Sequence, residues 1–337
     1  MTRPLALVLV ISLHPAFVAA QSHEPPLSVV VPPHLLANAP ATLAILGADG
    51  HLAPGVTVDI GNGQFAVTDP TGRASFTAPP DGAFIASAAG VSAAALVDAP
   101  QGAPSQPASV APGVSQHDRF AICGSGFSGE VASDSVAING DPAFVLAASP
   151  LCVIVLPQSR TLAGHATITI EAGPTHTTAM TNLVALDFVP PNPPLMPGHK
   201  GKLFVRATGT TDALLIVAEN ASPDVIHFAR GESQQLRTSG GPQNEVAVQV
   251  QALRAGSFSF HARILPPADA QSAVRYLEIA EGIAPKSAQA SVKSIASELT
   301  RHPRDSSSAR AALAHIASSA APGTFRTLIA TAVSSLD

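Results

Sequence analysis

The apolar residues of this chain change their spacing once, and that change limits the fold more than any single motif does. As far as Pro266 they recur at every second position, as in Val56-Thr57-Val58-Asp59-Ile60, Val136-Ala137-Ile138 and Val246-Ala247-Val248-Gln249-Val250. A strand with one buried face needs that period, because successive side chains point to opposite sides of a sheet. Beyond Pro267 the spacing becomes three and four, through Ala273, Leu277 and Ala280, then Val292, Ile295 and Leu299, the period of an amphipathic helix. Asp269, Ser287, Ser306 and Thr324 can cap helices, and Gly282, Pro285, Pro303 and Pro322 separate them. The expectation is a mainly β chain that ends in three or four short helices.

Composition agrees. The 337 residues include 31 Pro and 25 Gly, which break strands into short runs, and 46% hydrophobic residues, too many for a disordered chain. That length divides best into two to four small domains. We read 21–98 as a first β unit, 99–112 as a Pro-rich link and 113–188 as a second unit. A second Pro-rich link follows at 189–200, then a third β unit at 201–267 and a helical region at 268–337. The turn Asp69-Pro70-Thr71-Gly72 predicts a hairpin between strands at 65–68 and 74–77, since Pro presets φ and Gly closes the turn. Asn139-Gly140 predicts a second hairpin, because both of its central residues need positive φ. Strands of the third unit are expected at 202–207, 213–218, 225–228, 234–237, 245–251 and 258–264.

The second unit can be compared with a known family. Gly124-x-Gly126-Phe127, the run 135–143 through Asn139-Gly140, Leu156-Pro157, and Gly164 followed by Ile168 and Ile170 together resemble the IPT/TIG family of immunoglobulin-like β-sandwich domains, over about 104–188. Val67-Thr68-Asp69 with Gly72-Arg73-Ala74-Ser75-Phe76 is more loosely similar to bacterial immunoglobulin-like domains, over about 27–98. These resemblances imply tandem immunoglobulin-like sandwiches of bacterial type, and little chemistry.

Met1 to Ala20 has the form of a secretory signal peptide: Arg3, an apolar run from Leu5 to Leu13, and Val18-Ala19-Ala20 before cleavage ahead of Gln21. No later stretch is long and apolar enough to span a bilayer, so the mature chain is expected to be secreted or periplasmic. Its two cysteines, Cys123 and Cys152, lie in the second unit, where a disulfide is worth about 3–4 kcal/mol for a loop of that size. Alternation speaks against the bond. If Ile122 faces the core, Cys123 faces out, whereas Cys152 shares a face with Ile154 and Leu156, which the family pattern places inward. Residues on opposite faces cannot bridge without a bulge. Both states, a disulfide and two separate thiols, stay open at this level.

Function classes can be narrowed by chemistry. A net charge of −5 with no basic block disfavours nucleic-acid binding, which needs cations to displace counterions from phosphates. The twelve His show no His-Glu-x-x-His or other close ligand spacing, and there is no Cys-x-x-Cys, so no metal or other cofactor is expected. The Ser125 segment lacks the Gly-x-Ser-x-Gly elbow of a serine hydrolase. Asp134, Asp141, Glu171 and Asp187 sit at turns and strand ends and read as solvated acids rather than a catalytic pair. Without Trp, and with Tyr276 alone in the helical tail, a sugar-stacking platform is poorly provided. What remains is a non-enzymatic binding, adhesion or scaffold protein with an extracellular or envelope protein partner. The alternative is an accessory chain that binds carbohydrate or a surface for an extracellular enzyme system.

Overall fold

The computed structural model describes residues 27–100, 107–173, 175–191, 194–303 and 306–336, so the expected leader and its expected Ala20/Gln21 cleavage site lie outside the described residues. The fold is mainly β, with immunoglobulin-like sandwiches followed by four helices, as the spacing predicts. In the first sandwich, strands Ser28–Val30, Pro40–Leu46 and Arg73–Thr77 face a five-stranded sheet of His34–Leu36, Val91–Asp98, Ala83–Ala88, Thr57–Asp59 and Phe65–Val67. Leu43, Ile45, Val58 and Leu35 fill the space between them, and Phe76 stacks on Phe84 with ring centroids 4.2 Å apart.

The turn at Asp69–Gly72 forms: the Gly72 amide donates to the Asp69 carbonyl at 2.8 Å, and the Asp69 carboxylate accepts from the Thr71 amide and hydroxyl. The hairpin expected around it does not. Phe65–Val67 pairs with Thr57–Asp59 in one sheet, while Arg73–Thr77 pairs with Pro40–Leu46 in the other. Thr68 is still held in the first of these sheets, its amide bound to the Val56 carbonyl and its carbonyl to the Gly55 amide. The chain therefore changes sheets within the turn itself. At the other expected hairpin, Asn139 and Gly140 take φ of 53° and 85° and Ile138 pairs with Asp141.

Hydrogen bonding runs through the sandwiches without a break. Ala148 of strand Phe144–Ala148 pairs with Thr42, so strands of the first and second sandwiches lie in one seven-stranded sheet. A register shift between Val145 and Ala147 marks a bulge, and the Arg73 guanidinium donates to the carbonyls of Val145 and Leu146 there, at 2.7 and 3.2 Å. On the opposite side, the 15-residue strand Thr175–Val189 pairs along 175–183 with Gly164–Ala172 and along 185–189 with Lys200–Thr208. It joins the second sandwich to the sheet of Lys200–Thr208, Glu245–Ala252 and Ile226–Phe228. A three-stranded sheet of Ser233–Arg237, Leu215–Asn220 and Phe260–Ile264 covers that assembly. Phe228, Leu203, Val205, Ile216 and Val248 are the core between them.

The two cysteines stand directly opposite each other, Cys123 against Cys152 with Cα atoms 4.1 Å apart, and are joined by a disulfide. The alternation argument placed them on opposite faces because it sent Ile154 and Leu156 inward. The sandwich core instead takes Val153 and Val155 from that strand, with Ile122 and Phe120 from its neighbour. Ile154 is buried as well, in a small cluster with Val30, Ala44, Leu46 and Ala147 on the other face of the sheet. A strand buried on both faces carries no polarity signal to say which side is the core.

The helices are α1 (Ala270–Ile283), α2 (Lys286–Arg301), α3 (Ser307–Ser319) and α4 (Thr324–Ser335). Asp269 caps α1 by accepting from the Ser272 amide at 3.0 Å. The helices pack on one another and return to the first sandwich: Ala273, Tyr276, Leu277 and Ile329 bury themselves with Leu96, and Ile85 and Ala94 pack against the same cluster. The five-stranded sheet thus has Val97 and Phe84 in one core and Leu96 in another.

Replacing Leu277, which is fully buried, with Ala is expected to cost about 2–5 kcal/mol in urea unfolding. The Cys123→Ala, Cys152→Ala double variant is expected to lose about 3–4 kcal/mol relative to the oxidised parent by the same measurement.

Candidate functional site

A cleft of about 720 Å³ opens where the first two sandwiches, the segment around Pro266 and Pro267, and helices α1 and α4 meet. One lining residue, His34, is held from behind by side chains from distant parts of the chain that do not themselves line the cleft. Strands His34–Leu36 and Val91–Asp98 run parallel, with His34 opposite Leu96 and Leu36 opposite Asp98. Since Leu35 and Val97 point into the sandwich core, period-two alternation sends His34 and Asp98 to the helix side. There His34 Nδ1 lies 2.9 Å from Asp98 Oδ2, and Arg275 of α1 donates to Asp98 Oδ1 and to the Val97 carbonyl. The Ser149 hydroxyl of the second sandwich donates to the His34 carbonyl at 2.6 Å.

Burial alone raises the Asp98 carboxyl, but the hydrogen bonds and charges of His34 and Arg275 outweigh it and hold Asp98 below the usual carboxylate range. Asp98 is therefore an ionised acceptor that fixes His34 through Nδ1, leaving Nε2 as the ring nitrogen available to a ligand. Burial pushes the Tyr276 phenol well up, so it stays neutral, and its hydroxyl donates to the Ala94 carbonyl. Ser109, Ser115, Thr331 and Ser334 add hydroxyls to the lining. Such a surface can hydrogen-bond a polar molecule. Among the described residues the ring of His34 is bonded to Asp98 and to no hydroxyl or thiol, and both cysteines are in the disulfide.

The acids singled out in the sequence are scattered. Asp141 pairs with Arg160 at 3.0 Å, and Glu171 lies 3.8 Å from His176. Asp187 is exposed opposite Arg206. Asp134 is buried and accepts from the Ser128 amide; desolvation raises its carboxyl despite that bond. None of the four lines the cleft, and no group of three or more metal-ligating side chains forms among the described residues. The His34–Asp98–Arg275 cluster escaped sequence reading because its members are 64 and 177 residues apart, with no local spacing to connect them.

No protein-family model matches the chain, and no curated protein matches it. Among solved structures, similarity extends to a phosphatase candidate from Bacteroides thetaiotaomicron (17% identity, 32% of this chain and 32% of that one, TM-score 0.20). The extracellular region of plexin A4 is another (12% identity, 69% and 22%, TM-score 0.28). A third is the Bacteroides ovatus mixed-linkage glucan utilization locus protein SGBP-B in complex with a heptasaccharide (11% identity, 69% and 72%, TM-score 0.22). The chain spans about a third of the first and about a fifth of the second. All three scores fall well below 0.5, so the likeness reaches neither the architecture nor the activity of this chain.

The lowered Asp98 carboxyl fixes a pH dependence. Its contribution is fully present above the unfolded-state value near 3.8 and is lost as pH falls through the lower folded-state value. Urea midpoints are expected to drop between pH 7 and pH 3, and Asp98→Asn is expected to lower the pH 7 midpoint and to shrink that drop.

Proposed function

We propose that this chain is a non-enzymatic binding or scaffold protein working outside the cytoplasm, in the periplasm or released from the cell. The observation that carries this reading is how His34 of the cleft lining is held: Asp98 and Arg275, which stand behind the lining, tie it and the first sandwich to α1, with Ser149 adding the second sandwich. Groups held in this way build a rigid surface, whereas a general base needs a nucleophile within hydrogen-bond reach. A disulfide within the second sandwich suits an oxidising compartment, and no helix among the described residues is long and apolar enough to cross a membrane. The IPT/TIG reading of about 104–188 and the bacterial immunoglobulin-like reading of about 27–98 belong to this proposal. So does the division into units 21–98, 113–188 and 201–267, which three separate buried clusters support.

Sandwich arrays present loops and sheet faces to partners, and an envelope or extracellular protein is the partner we propose. The second reading, an accessory chain that holds a glycan for an extracellular enzyme system, is favoured by a cationic sheet face on the Lys200–Thr208 strand. Purified mature protein is expected to release no product from a panel of polysaccharides, peptides and phosphate esters, and to capture a protein from the matching envelope fraction. Turnover abolished by a single change at His34 or Asp98 would overturn the proposal.

A further inference from the structure

We propose that the groove along strand Lys200–Thr208 binds an acidic polysaccharide, one whose sugars carry carboxylates. This rests on the binding reading above and names its ligand class. The chain has four lysines, Lys200, Lys202, Lys286 and Lys293, and two of them lie two residues apart on this strand. Leu203 and Val205 point into the core, so Lys200, Lys202, Phe204 and Arg206 share the opposite face. Successive cations at positions 200 and 202 stand about 7 Å apart along the strand.

Electrostatics distinguish the two ends of that face. Arg206 is neutralised by Glu245, directly opposite and 3.2 Å away, with Asp187 opposite it on the other side. Lys200 and Lys202 instead face Gln251 and Gln249, and neither takes part in an ion pair among the described residues. The next position across from Gln251 is His227, whose neighbour Glu232 is already engaged by His227 and Asn220. Two uncompensated ammonium groups, each beside an amide, are thus presented together.

They line a groove of about 820 Å³ whose wall is the segment Pro194, Leu195 and Met196. That wall is anchored. Leu195 packs beneath Gly201, where a Cβ would come within 2.5 Å of its Cδ2, and the Gly198 amide bonds the Ala252 carbonyl at 2.8 Å. The side chain of Met196 is 67% exposed at the rim.

A hydroxylated polyanion matches this chemistry. The lysines take carboxylates, and Gln249 and Gln251, opposite them on the sheet beside the groove rather than in its lining, can exchange hydrogen bonds with hydroxyls of sugars that extend over them. A neutral glycan would rely on Trp or Tyr platforms that the groove lacks. A nucleic acid would need a longer run of cations than two on a chain of net charge −5.

The test is titration calorimetry of the mature chain with oligogalacturonate, a neutral glucan oligosaccharide, a single-stranded oligonucleotide and anionic phosphatidylserine vesicles. Binding is expected for oligogalacturonate alone, weakening as salt rises. The exposed Lys200→Gln, Lys202→Gln double variant is expected to lose about tenfold or more in affinity at an unchanged melting temperature, while Lys286→Gln binds as the parent does. Absent binding, binding unchanged in the double variant, or equal binding of the oligonucleotide or vesicles would each overturn the proposal. Any of these results leaves the turnover and partner-capture outcomes untouched, so the two readings fail separately.

Discussion

The strand Thr175–Val189 is the constraint on which the rest of the β architecture depends. It is long enough to serve two sandwiches in succession, and between its two antiparallel partners it also accepts Gly113–Ser115 as a parallel neighbour. Strand twist accumulates along such a ribbon, so the hydrogen bonds of one unit set the orientation of the next. A Pro-rich link still follows it, but by then Phe188 has already packed near Phe260 with ring centroids 5.3 Å apart. The first and second sandwiches are joined differently, by a single bridge at Ala148 and Thr42, by Arg73 on the bulge, and by a buried cluster on the outer sheet face.

These two kinds of junction account for an unusual feature of the composition. With 12% charged residues, the chain is poor in the groups that normally cover a strand's second face. Much of that second face is not exposed: Pro40–Leu46 is buried at six of its seven positions and Cys152–Leu156 at four of five. Apolar residues on both faces are what a chain needs when its sheets are covered by other parts of itself.

Sequence reading worked where the signal was local. Period-two runs located the third-unit strands to within a few residues, Asn139-Gly140 gave its hairpin and Asp269 capped α1. Ser306, by contrast, stands at the start of α3 with no side-chain cap bond, and Ser287 and Thr324 lie inside α2 and α4, behind Pro285 and Gly323. Sequence reading failed where the deciding contact was remote. Arg73–Thr77 pairs with the distant Pro40–Leu46 rather than with its neighbour in sequence, Ile154 is buried by Val30 and Ala44, and Asp98 meets Arg275 across 177 residues. The lysine pair was legible in principle, since Lys-x-Lys-x-Phe-x-Arg alternates on one strand. Its significance depended on knowing that Gln249 and Gln251, not carboxylates, lie opposite.

The return of the helices to the first sandwich has a consequence for how the protein is made. Leu96 and its neighbours are made well before the helices that cover them, which lie some 170 residues further along the chain. Until α1 and α4 arrive, the five-stranded sheet presents one apolar face to whatever surrounds it, and Asp98 lacks the cation that balances it. Any refolding experiment that removes the helical region therefore exposes a defined apolar face rather than a scattered set of residues.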